Sequence, residues 1–124
     1  MPGPKNWLQK ALSDLKLATK AIGDDDTLDP GVYLTHQCAE KALKAFFMFM
    51  GSDVPRTHNL LLLLDDAAYL DKSFVMIKKE CSLLNPYAIN ARYPNDNFFI
   101  NQNDLAGALQ AATHILNFVT DKIS

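Results

Sequence analysis

The side chains of this chain that could do chemistry include a histidine and a carboxylate on one predicted helix. His36 and Glu40 stand one helical turn apart, a spacing that could hold two ligands of a metal ion. Cys38 is close in sequence, but on a helix its side chain would project well away from their face, and a second helix would have to supply further ligands. We therefore interpret His36 and Glu40 as a surface ion pair and predict no metal site.

A small basic stripe lies on the same predicted helix. Gln37, Lys41 and Lys44 gather on one face of it, with Glu40 close by. A solvated helix face is the usual meaning of such a stripe. If Arg92 points the same way, however, the four residues could form a modest anion site for a nucleotide or an RNA phosphate; alternatively, Arg92 ties a later helix to a carboxylate. Our candidate binding residues are Gln37, Lys41, Lys44 and Arg92.

The other two histidines are predicted to be structural. His58 follows Thr57 at the start of a predicted helix, where packing or a hydrogen bond across the bundle is more common than catalysis. His114 lies beside the apolar stripe of the last helix, and the sequence identifies no partner for it. We therefore predict no catalytic residue.

Helices must position these side chains, because the apolar residues recur at helical spacing and no strand pattern is visible. Pro86 lies inside the fourth predicted helix and should cause a kink or a break near Leu84. The short connections favour an all-α, up-and-down four-helix bundle with an additional short helix. The predicted helices cover about residues 5–22, 29–50, 57–68, 71–91 and 103–123, with Asp29, Thr57 and Asn103 as N-caps.

Length and composition fit a single globular domain over residues 1–124. A chain of 124 residues is too short for two cores that are each stable alone, and 48% hydrophobic with 21% charged residues is normal for one such domain. The net charge of −2 gives no global reason to bind nucleic acid, so an RNA contact would need a local basic patch.

Cysteine usage and hydropathy point to the cytoplasm. Cys38 and Cys81 sit among apolar neighbours in predicted helices, which favours free, buried thiols over a disulfide. The N-terminus lacks the positive region and apolar stretch of a secretory signal. Because no apolar run is long enough to span a membrane, we expect a cytoplasmic protein without membrane contact.

The run of five apolar residues at 46–50 predicts an interface, because it covers every side of the second helix and part of it must face away from the bundle's own core. Exposed aromatic and methionine side chains on a small soluble protein usually mark an interface. The alternative is that residues 98–100, in the late loop, cover this patch. We predict a homodimer whose interface includes Phe46, Phe47, Phe49 and Met50.

Four sequence fragments occur in an order that resembles the HEPN domain family. They are QCAEKALKA at residues 37–45, THNL at 57–60, ARYP at 91–94 and the alanine-rich final helix, and they follow an amphipathic first helix. Members of this family are small all-helical proteins found beside minimal nucleotidyltransferases and in toxin–antitoxin pairs. The resemblance spans most of the chain and implies the same fold, commonly as a dimer whose active groove lies at the junction of two copies.

The resemblance also raises the question of ribonuclease chemistry. Ribonuclease members carry an arginine that holds phosphate and, after four to six intervening residues, a histidine that acts on the RNA 2′-hydroxyl. Arg92 stands on the corresponding segment, but the positions where the histidine would fall are Asn97, Phe98 and Phe99. The other arginine, Arg56, is followed by leucines at these distances. An amide or a phenyl ring cannot shuttle a proton near neutral pH, so the sequence does not predict this chemistry.

We therefore expect a non-catalytic HEPN-like protein without a cofactor: a homodimeric binding or regulatory partner of a minimal nucleotidyltransferase that could bind a nucleotide or an RNA phosphate. Tyr93 matches a position next to the active segment, where some toxin members are modified by nucleotide transfer, so it is a candidate modification site. Two alternatives stay open. One is a divergent ribonuclease toxin that uses Arg92 with His58 or with a histidine of the second copy, and the other is a purely structural protein-interaction module.

Overall fold

Every regular element in the computed structural model is a helix within residues 2–91 and 99–124, the part of the chain that it describes. The predicted all-α class is confirmed for those ranges. None of the described helices is both long enough and apolar enough to span a membrane. The α-helices are α1 (Pro4–Thr19), α2 (Leu28–Phe49), α3 (Leu60–Leu70), α4 (Lys78–Leu84), α5 (Tyr87–Asn90) and α6 (Gln102–Ile123), and 3-10 helices at Asp25–Thr27 and Lys72–Ile77 precede α2 and α4.

α2 is the central helix, because each of the other described α-helices packs against it. Small residues allow this close approach, and Gly31, Ala39 and Ala42 are buried on it. What remains half-exposed is a narrow stripe that includes Gln37 and Lys41. Because α2 is buried on nearly all sides, its polar side chains beyond the first turn are buried or half-buried instead of fully solvated.

The leucine run at 60–64 is helical as predicted, but α3 does not start at Thr57. Asn59 is the N-cap, since its side-chain oxygen accepts hydrogen bonds from the amides of Leu61 and Leu62. Thr57 Oγ1 instead accepts from the amide of Asn59, which places a turn before the helix. The buried leucines of the run are Leu60, Leu63 and Leu64.

Other helix ends also differ from the predicted ones. α1 ends at residue 19 instead of 22, and Gly23 turns the chain with a φ of +81°. α2 begins before the predicted cap Asp29. α6 is capped by Asn101 and not by Asn103, because Asn101 and Asp104 form a reciprocal capping box with each other's backbone amides.

The fourth predicted helix is broken at Pro86, as expected. α4 ends at residue 84 and α5 begins at residue 87, since proline has no amide hydrogen to donate. The side chain of Asn85 then bridges to α3, where its Oδ1 accepts a hydrogen bond of 2.8 Å from the amide of Leu60. The break therefore places Asn85 and α5 beside the start of α3.

Cys38 and Cys81 are free and buried, as predicted. Burial disfavours the charged thiolate and raises the pKa of each thiol to about 12. Both sulfurs therefore stay protonated near neutral pH and behave as small apolar groups in the core.

The interface predicted for the 46–50 run needs a correction at two positions. Phe46 and Phe47 are each only 2% exposed, and the ring centroids of Phe46 and Phe74 lie 4.3 Å apart. Both residues belong to the core because neighbouring helices cover α2 on nearly all sides. Phe49 and Met50, where α2 ends, remain 47% and 45% exposed, so the predicted interface is reduced to these two residues.

Replacing Gly31 with alanine should destabilise the protein. A Cβ atom there would lie 2.8 Å from Ala21 Cβ and 3.3 Å from Leu105 Cδ1, so α2 would have to move away from its neighbours. We expect a loss of about 1–3 kcal/mol in the free energy of unfolding, as for other overpacked cores. Urea denaturation of the variant measures this loss.

Gly107 in α6 provides the matched control. An added Cβ would meet no atom within 4 Å there, so Gly107→Ala should stabilise the helix by about 0.5–1 kcal/mol. A Gly31→Ala variant that is as stable as Gly107→Ala would contradict the close packing around α2.

Candidate functional site

The predicted basic stripe is present on α2, but both of its lysines are paired within the chain. Lys41 Nζ lies 2.6 Å from Asp14 Oδ2, and Lys44 Nζ lies 3.1 Å from Glu40 Oε2. Gln37 is half-buried on the same face of the helix. The carboxylates offset the two lysine charges, so the stripe attracts anions less strongly than the sequence suggested.

Two other predicted site residues, Arg92 and Tyr93, lie outside the residues that the structure describes, and their roles stay predictions. The same holds for two of the positions considered for a catalytic histidine, Asn97 and Phe98. The third of those positions, Phe99, is 84% exposed.

Glu40 is the centre of a polar cluster that also contains His36, Lys44 and His58, and we call this set the Glu40 cluster. The Glu40 side chain is 7% exposed, and its two oxygens lie 2.9 and 3.0 Å from His58 Nδ1. Lys44 Nζ donates to the same carboxylate, and His36 Nδ1 lies 3.9 Å from it. The predicted pairing of His36 with Glu40 is present at this distance, but its predicted surface position is wrong, because both residues are buried by the helices around α2.

His36 lies inside the core in its neutral form. Burial lowers the pKa of its imidazole, and the nearby Glu40 carboxylate opposes this effect only in part. Neither ring nitrogen meets strict hydrogen-bond geometry with a described residue, but the backbone of His58 lies close enough to oppose the lowering of the His36 pKa. In the described ranges, no group of three or more His, Cys, Asp or Glu side chains is arranged to hold a metal ion. The Lys44 ammonium group on Glu40 would also repel a cation there.

Glu40 fixes which ring nitrogen of His58 carries the proton. An ionised carboxylate only accepts hydrogen bonds, so Nδ1 of His58 must donate. Nε2 is then left for another partner, on a side chain that is 77% exposed. Of the two structural roles predicted for His58, packing or a hydrogen bond across the bundle, the hydrogen bond is present, and its buried partner Glu40 was not predicted. A histidine held in this way can exchange a proton or bind a polar ligand.

A groove of about 380 Å³ opens beside His58 between α2 and α5, and we call it the α2–α5 groove. Gln37 is the predicted binding residue that lines it. The described lining of the groove contains amides, two hydroxyls, a phenol ring, an imidazole and aliphatic groups, with no lysine, arginine, aspartate or glutamate. The lining residues are Tyr33 and Gln37 from α2, Thr57, His58 and Asn59 before α3, and Asn85, Ala88 and Ile89 around the α4–α5 break.

Hydrogen bonds that cap helices hold one wall of the groove in place. Asn59 caps α3, and Asn85 Nδ2 donates to Asn59 Oδ1 at 3.2 Å while Asn85 Oδ1 accepts from the amide of Leu60. This wall was not predicted from the sequence. Pro86 indicated the break in the helix, but no local pattern indicated which segment the break would face.

Comparisons with known proteins agree with this architecture. The HEPN domain family model matches residues 4–123. The crystal structure of ST0689, an archaeal HEPN homologue, is 25% identical, covers 100% of both chains and has a TM-score of 0.81. The crystal structure of TT1696 from Thermus thermophilus is 27% identical, covers 98% of this chain and 99% of that one, and has a TM-score of 0.80. The comparison with curated proteins gives no match.

A double-mutant cycle on Glu40 and Lys44 measures the strength of the buried pair. The side chains are 7% and 12% exposed, so removing either partner leaves the other charge poorly solvated. We expect the Glu40→Gln and Lys44→Met changes to show a coupling energy of about 1–3 kcal/mol in urea denaturation.

Asp14 and Lys41 form the matched control pair. Their side chains are 16% and 28% exposed, so water screens this ion pair more. The Asp14→Asn and Lys41→Met cycle should give about 0.2–1 kcal/mol. Equal coupling energies in the two cycles would contradict the stronger coupling that we expect for the buried pair of Glu40 and Lys44.

Proposed function

The chain belongs to the HEPN domain family, and on that premise we propose that it is a binding protein and not an enzyme. It forms a homodimer, binds a nucleotide or an RNA phosphate at the α2–α5 groove and the adjoining α2 stripe of Lys41 and Lys44, and acts as the regulatory partner of a minimal nucleotidyltransferase. The observation that supports binding most directly is the groove of about 380 Å³ beside His58. Its size falls within the range of about 300–1,000 Å³ that is common for ligand sites.

The lining of the groove suits the nucleoside part of a nucleotide, and the α2 stripe suits its phosphate. The groove combines apolar groups with a few hydrogen-bonding side chains, which is the usual composition of a small-molecule site. Gln37 lies in the groove, and Lys41 and Lys44 follow it one and two turns later on the same face of α2. A ligand in the groove could therefore place a phosphate near the lysines, although their carboxylate partners weaken the attraction.

The absence of a histidine in the expected place supports a non-catalytic role. The sequence has no histidine that follows Arg92 or Arg56 after four to six intervening residues. In addition, the described groove lining has no lysine or arginine that could stabilise the charge that develops on a reacting phosphate. The role as partner of a minimal nucleotidyltransferase follows from what the family resemblance implies.

A ribonuclease is the second candidate function, because the pairing of His58 with Glu40 is an arrangement that proton transfer can use. Nε2 of His58 would take the proton from the RNA 2′-hydroxyl as the 2′-oxygen attacks the adjacent phosphorus. The bond from phosphorus to the 5′-oxygen would then break, and His58 would return the proton to that oxygen. The products would be a 2′,3′-cyclic phosphate and a free 5′-hydroxyl.

An RNA assay separates the two candidates. We expect the purified protein to bind fluorescently labelled single-stranded RNA, seen as increased anisotropy, and to leave it intact on a denaturing gel. Arg92→Ala and His58→Ala should weaken binding, and His114→Ala serves as control because His114 also pairs with a carboxylate, Glu80, at 3.4 Å. Cleavage that disappears in Arg92→Ala or His58→Ala but persists in His114→Ala would overturn the non-catalytic proposal.

Light scattering tests the homodimer. We expect twice the chain mass of 13.8 kDa for the wild type and a shift towards a single chain for Phe49→Glu, because a charge at this apolar position opposes association. Tyr69→Glu is the matched control on a side chain that is 92% exposed, and it should leave the mass unchanged. A wild type with the mass of one chain, or an unchanged mass for Phe49→Glu, would count against this interface.

A further inference from the structure

We propose that the α2–α5 groove receives a nucleobase that carries an exocyclic amino group beside a ring-nitrogen acceptor, as adenine does, while any phosphate stays outside the groove. This inference rests on the proposed function for the choice of a nucleotide as ligand. It adds which end of the nucleotide enters the groove and which bases fit.

The charges around the groove are unsuitable for a phosphate inside it. Phosphates in proteins usually meet arginine, lysine or free backbone amides. The described lining has no arginine or lysine, and the two lysines of the α2 stripe are held by Asp14 and Glu40. A neutral part of the ligand therefore fits the interior better.

The start of α3 lies at the groove but has no free amides for an anion. The amide of Leu60 donates to Asn85 Oδ1, and the amides of Leu61 and Leu62 donate to Asn59 Oδ1. Because these donors are used within the chain, the groups left for a ligand are neutral side chains.

His58 supplies a hydrogen-bond acceptor in a fixed position. Since its Nδ1 donates to Glu40, the neutral ring carries its lone pair on Nε2. A ligand that fits must present an N–H or O–H group to this atom. Glu40 is a positioning residue here, because it contacts His58 and not the ligand.

Gln37 completes the pattern of donors and acceptors. Its amide lines the groove and makes no hydrogen bond to another described residue. A side-chain amide pairs with adenine by accepting from the exocyclic amine and donating to the neighbouring ring nitrogen. The second hydrogen of that amine is then available to His58 Nε2. A base with a carbonyl oxygen at this position would instead set two acceptors against each other.

Ala88 and Ile89 supply an apolar wall for the face of the ring. Ile89 is 69% exposed, so a base that packs on it would remove apolar surface from water. A flat ring with a polar edge and apolar faces therefore matches this lining better than a sugar or a phosphate.

Adenosine and inosine are matched probes, since inosine replaces the amino group with a carbonyl oxygen and the neighbouring N1 acceptor with an N–H donor, while N7 and the ribose stay the same. We expect adenosine to shift the NMR signals of the Gln37 amide and the His58 ring in ¹⁵N-labelled protein. Inosine should bind about tenfold more weakly or worse, because it leaves a desolvated acceptor unpaired. Ribose 5-phosphate, which has no base, should not shift these signals.

Variants test the two residues directly. His58→Ala and Gln37→Ala should each reduce the preference for adenosine over inosine, and a circular dichroism spectrum checks that they fold. His114→Ala is again the control, because His114 lies on α6 and pairs with Glu80. It should keep the full preference for adenosine.

The outcomes separate this inference from the proposed function. Equal binding of adenosine and inosine, or adenosine shifts confined to residues outside the groove, would overturn the inference. RNA binding without adenosine binding would also overturn it, while the proposed phosphate binding would stand. Selective adenosine binding in the groove without RNA binding would support the inference and count against an RNA-phosphate site. Failure of every nucleotide and RNA to bind would overturn both.

Discussion

The buried carboxylate of Glu40 is the constraint on which the polar site depends. A carboxylate that is 7% exposed has to be paired and hydrogen-bonded, because an isolated charge in the core is strongly destabilising. Lys44 supplies a positive charge from the next turn of α2, and His58 supplies an N–H group from the segment before α3. Because His58 belongs to a separate element, this pairing fixes that segment against the central helix.

The α2–α5 groove follows from how the helices around this cluster begin and end. The amides at the start of α3 are satisfied by Asn59 and Asn85, and Pro86 stops α4 so that α5 can turn towards α2. The interactions that satisfy these helix ends therefore also build a wall of the groove. They leave it polar but uncharged, with the lysines outside on the stripe of α2.

Helical periodicity predicted most elements because the apolar side of each helix is clear, and Pro86 predicted the broken helix. Periodicity failed on α2, where it assumed one buried face while the fold surrounds the helix. His36 and Glu40 are buried for that reason, and Phe47 belongs to the core instead of an interface. The sequence contained the polar residues of the site, but Asn85 joins them through tertiary packing, which no local pattern encodes. The N-caps of α3 and α6 were predicted wrongly because each helix start has more than one side chain that can cap it: Thr57 and Asn59 for α3, and Asn101 and Asn103 for α6.

The tautomer of His58 is the most direct measure of whether Glu40 organises the groove. It can be read from the ring nitrogen signals of ¹⁵N-labelled wild-type protein, at a pH where the imidazole is neutral. We expect Nδ1 to carry the proton and Nε2 to be unprotonated, as the hydrogen bonds to Glu40 require. A neutral ring that is protonated on Nε2, with a bare Nδ1, would contradict the role of Glu40 and remove the acceptor from the groove.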